Sequence, residues 1–169
     1  MKSRRLLSRV WETQEQDGFV FLSFKDDTGW HDLCYKFGRD EIVIPDAKLG
    51  DVYFCPNIFS RPRRSKDLML PSKWLYADLD KVDPAEVGPK YGSILRPSIA
   101  WESSPGRYQA LWELDRFLDP ELHSTVNQKL TYLIGADKGG WDRTQVLRVP
   151  GTINHKYAEE PEVKLLWRS

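Results

Sequence analysis

The stretch 74–80 reads WLYADLD and limits the possible folds of this chain more than any other part of the sequence. An apolar run that ends in two acids one residue apart predicts a buried strand whose end enters a polar site. Side chains alternate across a strand, so Asp78 and Asp80 are expected on one face, with Cα atoms roughly 6.5 Å apart. Two carboxylates at that spacing favour a divalent cation between them. The alternative interpretation is a solvated strand end before a turn.

The composition predicts one folded domain without an overall positive field. The chain has 169 residues, of which 40% are hydrophobic, so it is long enough to bury a core. Lys+Arg and Asp+Glu each total 25, so the net charge is zero and nucleic-acid binding would need a local basic patch. The candidate patch is a loop with four cations, and a solvated surface loop is the alternative (Arg61, Arg63, Arg64 and Lys66).

The cysteines and the N-terminal residues predict a cytoplasmic location. Cys34 and Cys55 do not form a C-x-x-C pair, so neither a disulfide framework nor a zinc knuckle is indicated. The first residues are charged but lack the long apolar segment of a signal peptide. No apolar run approaches the length of a membrane span, and no membrane partner is expected.

The order of predicted elements is rich in strands and contains one long helix. Asp119 followed by Pro120 marks the start of this helix, and Gly135 marks its end. A second helix is expected over 84–91, and a short helix or loose arm over 1–16. The predicted strands cover 19–24, 30–37, 52–54, 74–80, 99–102, 108–114, 144–149 and 163–167. This order predicts an α+β domain with helices on one face of a mainly antiparallel sheet and the other face open as a groove.

Two further stretches carry polar groups that suit an anionic ligand. Pro105-Gly106 predicts a type II turn, after which Arg107 and Gln109 alternate onto one strand face. Most such turns have no binding role, which is the alternative here.

The stretch 135–156 is richer in polar groups. It contains two acids (Asp137 and Asp142) and an arginine, Arg148, between apolar neighbours. A buried arginine needs an anionic partner, which is either a structural carboxylate or the triphosphate of a ligand. Asn154 and Lys156 suit the same anion.

Taken together, the three stretches resemble the three motifs of the archaeo-eukaryotic primase superfamily, in its plasmid and phage branch. The first motif is an apolar strand ending in acid-x-acid, matched by Asp78 and Asp80. The second contains S-x-H, where this chain has Gln109 in place of the histidine. The third is an acid ahead of a strand reading L-R-x-P-G-x-x-N-x-K, matched by Asp137 and the run from Arg148 to Lys156.

The resemblance implies a single catalytic domain over 1–169 and a set of site residues. A small N-terminal αβ module of about 1–70 would pack with an RRM-like module of about 71–169. Catalytic roles are implied for three acids, with Asp142 as the rival metal ligand to the third (Asp78, Asp80 and Asp137). Nucleotide binding is implied for Arg107, Gln109, Arg148, Asn154 and Lys156, and template binding for the basic loop.

The activity implied by the resemblance is template-dependent nucleotidyl transfer on single-stranded DNA, as in a DNA primase or primase-polymerase. Two divalent ions, Mg²⁺ or Mn²⁺, would be the cofactors, and nucleoside triphosphates the substrates. A replicative helicase on a separate chain or domain is a further candidate partner. The alternatives are a metal-dependent nuclease or phosphodiesterase, and a non-catalytic RRM-like module that binds single strands.

Overall fold

The computed structural model describes residues 2–12 and 17–169 and shows an α+β fold. It has two antiparallel four-stranded sheets and three α-helices, which confirms the predicted fold class. The elements are α1 (Lys2–Glu12), β1 (Phe19–Asp26), β2 (Gly29–Lys36), β3 (Asp51–Phe54), β4 (Ser72–Asp80), α2 (Pro84–Tyr91), β5 (Ile99–Ser104), β6 (Arg107–Leu118), α3 (Pro120–Ile134), β7 (Leu147–Arg148) and β8 (Lys164–Arg168). Most of the predicted N-terminal arm is helical, and its residues 1 and 13–16 lie outside the described residues. None of the described helices is long and apolar enough to cross a membrane.

The first sheet has the strand order β2-β1-β3-β7 and two different faces. The predicted hairpin forms, because Asp26 pairs with Gly29 at the tight turn between β1 and β2. Alternate residues of β1 and β3, among them Leu22 and Phe54, are fully buried in the main apolar core. The residues between them, among them Tyr53, lie on the opposite face of the sheet, which is more polar.

The second sheet has the strand order β4-β6-β5-β8, and α2 and α3 pack on one of its faces. The long helix has the predicted ends: the Asp119 carboxylate accepts hydrogen bonds from two backbone N–H groups of the first turn, and Gly135 is left-handed with φ 72°. The smaller residues Ala77, Ala100 and Ala110 pair across the three strands and let the helices approach closely.

The other face of the second sheet is not the open groove that we expected. It carries large side chains that are fully buried against α1 and the apolar face of the first sheet (Trp74, Tyr76, Ile99, Trp101 and Leu111). Such a face would expose a large apolar area if it were left uncovered, so burial strongly favours closure. The predicted groove is therefore wrong for most of this face.

The predicted strand over 144–149 is present only as the two residues of β7. Residues before it form a turn, because the Asp142 carboxylate accepts hydrogen bonds from the backbone N–H and the hydroxyl of Thr144, at 2.8 and 2.6 Å. β7 pairs with β3 and so joins the first sheet, although the sequence places it within the predicted second module. The division at about residue 70 stays a prediction.

Candidate active site

A cavity of 490 Å³ at one end of the second sheet brings together acids from separate segments of the chain. Asp78 and Asp80 come from the end of β4, and Asp137 comes from the loop after α3. The rest of the cavity wall includes the residues predicted to bind nucleotide and contains cationic, polar and aromatic side chains (Trp30, Tyr53, Ser103, Ser104, Arg107, Gln109, Val146, Arg148, Asn154, Lys156 and Tyr157). The structure thus places all three predicted catalytic acids in one cavity.

The end of β4 departs from regular strand geometry between the two acids. Asp78 pairs with Gln109 and Asp80 pairs with Tyr108, so Leu79 is an extra residue that forms a β-bulge. Asp80 has a positive φ of 49°, which is uncommon outside glycine. The bulge means that strict alternation, on which the sequence argument relied, does not describe this strand end.

Asp80 is held by an arginine from the neighbouring strand. The Arg107 guanidinium forms an ion pair with the Asp80 carboxylate, and both side chains are nearly half exposed. The predicted nucleotide-binding residue Arg107 therefore lies in the cavity with its charge already compensated by one of the acids. Because the pair is exposed, it can exchange partners at small cost in free energy.

Asp137 is brought to β4 by close approach of two backbones. Its N–H donates to the carbonyl oxygen of Asp78 at 2.8 Å. Gly140 completes this contact, because a Cβ atom at Gly140 would lie only 3.2 Å from the Cβ atom of Asp78 and 3.2 Å from the Asp137 carbonyl oxygen. A glycine at this position lets the loop lie directly on the acid strand.

The Asp78 carboxyl group is the one whose electrostatics are most altered. Burial raises its pKa above the ordinary value, and the nearby Asp137 carboxylate adds to the increase. The Gln109 amide, Arg107 and Lys156 act in the opposite direction without cancelling it. Asp78 is partly buried and Asp137 is exposed, and a cation beside the two carboxylates would relieve their repulsion.

Gln109 connects the acid strand to the first sheet. Its Oε1 accepts hydrogen bonds from the Trp101 indole N–H and from the backbone N–H of Arg148, both at 3.0 Å. Its amide also hydrogen-bonds to the Asp78 carboxylate. With three partners inside the protein, Gln109 is placed to position Asp78 and β7, and its predicted contact with nucleotide stays a prediction.

Arg148 has a structural carboxylate as its partner. Its Nη1 lies 2.6 Å from Oδ1 of Asp51, and both side chains are almost fully buried. Asp51 also accepts a hydrogen bond from the backbone N–H of His155 at 2.8 Å. The sequence reasoning missed Asp51, because the predicted strand began at the next residue. Two features of the sequence could have identified Asp51. It lies directly before a strand that is predicted to be buried, and the predicted buried arginine needed a carboxylate partner.

Of the other residues of the third motif, Asn154 stabilises a loop and Lys156 is exposed in the cavity. Asn154 is buried and donates to the Ser103 carbonyl oxygen at 2.7 Å, and its Oδ1 accepts from the backbone N–H of Lys156 at 3.1 Å. These bonds fix the loop between β7 and β8. Lys156 is exposed and lines the cavity, so its ammonium group is available to an anion.

Asp142 does not line the acid cavity. Its carboxylate lies 2.5 Å from the Lys66 Nζ and caps the turn before β7. These hydrogen bonds and the Lys66 charge lower its pKa although burial opposes them. The geometry therefore places Asp137, and not its rival Asp142, beside the first two acids.

The basic loop is partly engaged with the protein itself. Lys66 pairs with Asp142, and Arg64 forms hydrogen bonds with the Asp32 carboxylate and with a backbone carbonyl oxygen. Arg61 and Arg63 are exposed, and among the described residues they form no ion pair. These two arginines are the ones best placed for a phosphate backbone.

A divalent cation is the cofactor that the acids suggest, and its fit can be judged from the donor set. Within residues 2–12 and 17–169, no three His, Cys, Asp or Glu side chains lie close enough together to hold a metal ion. The chemistry fits, because carboxylate oxygens are the ligands that Mg²⁺ and Mn²⁺ prefer. The Asp80 carboxylate is engaged by Arg107, so it would have to give up this exposed ion pair to serve as a metal ligand.

Comparison with known proteins follows the same stretches of the chain. Residues 56–168 match the family model of the RepB DNA-primase N-terminal domain. The chain is 26% identical over 155 residues to a replication protein from Clostridium perfringens, which covers 82% of this chain and 37% of that protein. The chain thus spans little more than a third of this relative's length.

Two solved structures share the fold at low sequence identity. The catalytic domain of primase RepB′, solved in complex with initiator DNA, matches with a TM-score of 0.68 and 17% identity over 99% of this chain and 86% of its own. The primase-polymerase domain of cyanophage S-2L matches with a TM-score of 0.72 and 12% identity over 99% of this chain and 90% of its own. The family match covers well over half of the residues and includes all three acids, so the chain belongs to the RepB DNA-primase N-terminal domain family.

Proposed function

We propose that this chain is a primase-type nucleotidyltransferase that joins nucleotides on a single-stranded DNA template. The observation that carries the proposal is the meeting of Asp78, Asp80 and Asp137 in one cavity with cationic side chains. Acids clustered beside cations suit a ligand that is both metal-bound and highly anionic, such as a nucleoside triphosphate. The family membership and the shared fold support the same activity.

The side chains of the cavity divide the work of binding such a ligand. Lys156 is exposed in the wall and Arg107 lies beside Asp80, so both can neutralise phosphate oxygens. Arg148 lies in the cavity wall with its charge paired to Asp51, so it contributes mainly by fixing the position of β7. Gln109 holds Asp78 in place through its amide. Each of these roles depends on positions that the fold fixes before the ligand arrives.

Asp78, Asp80 and Asp137 would hold the divalent ions, Mg²⁺ or Mn²⁺. When bound, such ions lower the pKa of an attacking 3′-hydroxyl and neutralise the charge of the leaving pyrophosphate. The chain's own contribution is to present the carboxylates in ionised form, and a cation between Asp78 and Asp137 would reverse the raised pKa of Asp78. If Asp80 served as a metal ligand, Arg107 would be free to bind phosphate.

Template and partners follow from the same reasoning. The solved relative in complex with initiator DNA supports DNA as a ligand. In this chain Arg61 and Arg63 are exposed and suit the backbone of a single strand. A replicative helicase on a separate chain or domain remains a proposed partner.

The test is synthesis without primer on single-stranded DNA, with Mg²⁺ or Mn²⁺ and with either ribonucleotides or deoxynucleotides. We expect product from the parent protein, and none from Asp78→Asn or Asp137→Asn. Asp142→Asn should retain synthesis, and Asp115→Asn is the matched control because Asp115 is an exposed acid outside the cavity. Full activity of Asp78→Asn would end the proposal, and shortening of the DNA instead of synthesis would favour a nuclease.

A further inference from the structure

Trp30 is unusual among the tryptophans because it is largely exposed, on the edge strand β2 of the first sheet. More than half of its surface, 54%, is accessible, whereas Trp11, Trp74 and Trp101 are fully buried. A single exposed apolar side chain is common at protein surfaces, whereas exposed apolar side chains that lie together more often mark a binding surface. Trp30 also lines the acid cavity, so its exposed ring faces the proposed site.

The sheet register places a second aromatic ring beside it. Trp30 pairs with Lys25 of β1, and Lys25 pairs with Asp51 of β3, so Tyr53, two residues further on, lies on the same face. The two ring centroids are 4.8 Å apart with an interplanar angle of 37°. Tyr53 lines the same cavity, and burial raises its pKa to about 12, so its ring is uncharged at neutral pH.

Cations surround the two rings on the same sheet face. The Lys25 ammonium lies 5.6 Å from the Trp30 ring centroid, and the Arg148 guanidinium lies 4.7 Å from the Tyr53 ring centroid. Lys156 lines the cavity next to them. Flat aromatic surface interleaved with positive charge is the combination that binds single-stranded nucleic acid, because bases stack on the rings while phosphates meet the cations. Here Lys25 and Lys156 are the exposed cations, whereas Arg148 is already paired with Asp51.

A purely structural role explains these side chains poorly. The main apolar core lies on the opposite face of the first sheet, where Leu22, Val52 and Phe54 are fully buried, and the smaller cluster around Phe21 lies further along the Trp30 face. Trp30 lies on the edge strand β2 and adds little to that core. Trp30 is therefore the ring of the pair that is largely exposed at the cavity and adds little to the main core, whereas Tyr53 is partly buried beneath it.

We propose that Trp30 and Tyr53 form a stacking platform for a nucleobase at the mouth of the acid cavity. The inference rests on the proposed nucleotidyl transfer for the presence of a nucleotide there, and it adds the residues that receive the base. The same chemistry serves two sources of the base, the single-stranded template and the nucleoside triphosphate. The platform would hold that base on the first sheet while the acids of the second sheet face the phosphates.

The experiment measures binding of each source alone, so that no synthesis takes place. Labelled oligothymidylate is titrated by fluorescence anisotropy, and deoxyadenosine triphosphate with Mg²⁺ by isothermal titration calorimetry, which does not depend on the tryptophan that is replaced. Loss of one stacked base corresponds to roughly 5- to 150-fold weaker binding, which is the expected effect of Trp30→Ala. Trp30→Phe retains an aromatic ring and should keep most of the affinity.

The matched control is Phe117→Ala, which removes a partly exposed ring near the far end of β6 from the cavity and should not change binding. Weaker binding of the oligonucleotide by Trp30→Ala assigns the platform to a template base, and weaker binding of the triphosphate assigns it to the incoming nucleotide. Unchanged binding of both ligands would overturn the inference. Because binding is read without synthesis, an inactive parent protein would refute the proposed function and leave this result interpretable.

Discussion

Replacing Asp51 by asparagine should destabilise the folded protein by about 3 kcal/mol, because it leaves Arg148 charged, buried and unpaired. Removal of one partner from a buried pair typically costs about 3–5 kcal/mol. The lower end applies because the Arg148 side chain is 9% exposed beside a cavity and contacts the Tyr53 ring. Asparagine has the same shape and can still accept the hydrogen bond from the His155 N–H, so the substitution removes mainly the charge.

Urea unfolding at pH 7 measures this cost. With a slope of about 2 kcal/mol per molar urea, a loss of 3 kcal/mol lowers the midpoint by about 1.5 M. The matched control is Glu41→Gln, which breaks the ion pair with Arg4 whose side chains are 57% and 78% exposed. An exposed pair contributes about 0–1 kcal/mol, so the control should shift the midpoint little.

The pH dependence has a defined sign. Burial raises the pKa of Asp51, but the hydrogen bonds from Arg148 and His155 outweigh it and the net pKa is lowered. The stabilisation is therefore complete above the ordinary carboxyl range and is lost as the pH falls through the lowered folded value. Asp51→Asn should lack this component of acid unfolding.

A double variant separates the pair from its surroundings. If the unpaired charge causes the loss, combining Asp51→Asn with Arg148→Met should recover much of it, because no buried charge then remains. A midpoint for Asp51→Asn that matches the Glu41→Gln control would refute the reasoning. It would show that Arg148 is solvated through the cavity and does not depend on Asp51.

Two other predictions concern the acid strand and the basic loop. Asp78→Asn should raise the free energy of unfolding at pH 7, since the raised pKa of Asp78 means that its ionised form disfavours the folded state; in urea titrations this gain should shrink as the pH falls into the ordinary carboxyl range. Replacing Arg61 and Arg63 together by alanine should weaken binding of single-stranded DNA and reduce its salt slope by roughly 1.4, measured by anisotropy from about 50 to 200 mM salt. The exposed Arg116→Ala is the control for the loop, and an unchanged slope in the double variant would show that the loop does not contact phosphate.

The parts of the fold that the sequence predicted correctly depend on neighbouring residues. The long helix begins at Asp119–Pro120 and ends before Gly135 because the cap, the fixed φ of proline and the left-handed glycine act within one turn. The acid strand was predicted for the same reason, since its apolar run and its terminal acids are adjacent in sequence. Features that depend only on neighbouring residues can be predicted without knowing which helices and strands pack together.

The parts that sequence reasoning missed depend on contacts between distant residues. Asp51 and Arg148 are 97 positions apart, and no local pattern links them. The sequence did not decide between Asp137 and Asp142 as the third acid. A backbone hydrogen bond to β4 places Asp137 at the cavity, whereas the ion pair with Lys66 holds Asp142 away from it. We also expected an open groove where the second sheet is covered. Predicting this would have required knowing that the apolar face of the first sheet packs on it.

The place of β7 in the first sheet has a consequence for how the chain folds during synthesis. β3 is translated early, but its outer neighbour β7 follows only after the whole second sheet except β8 has been made. Until then β3 presents an unpaired edge, which is a hazard for aggregation in a nascent chain. Completion of the first sheet and pairing of Asp51 thus occur late, after the segments that carry all three acids have been translated.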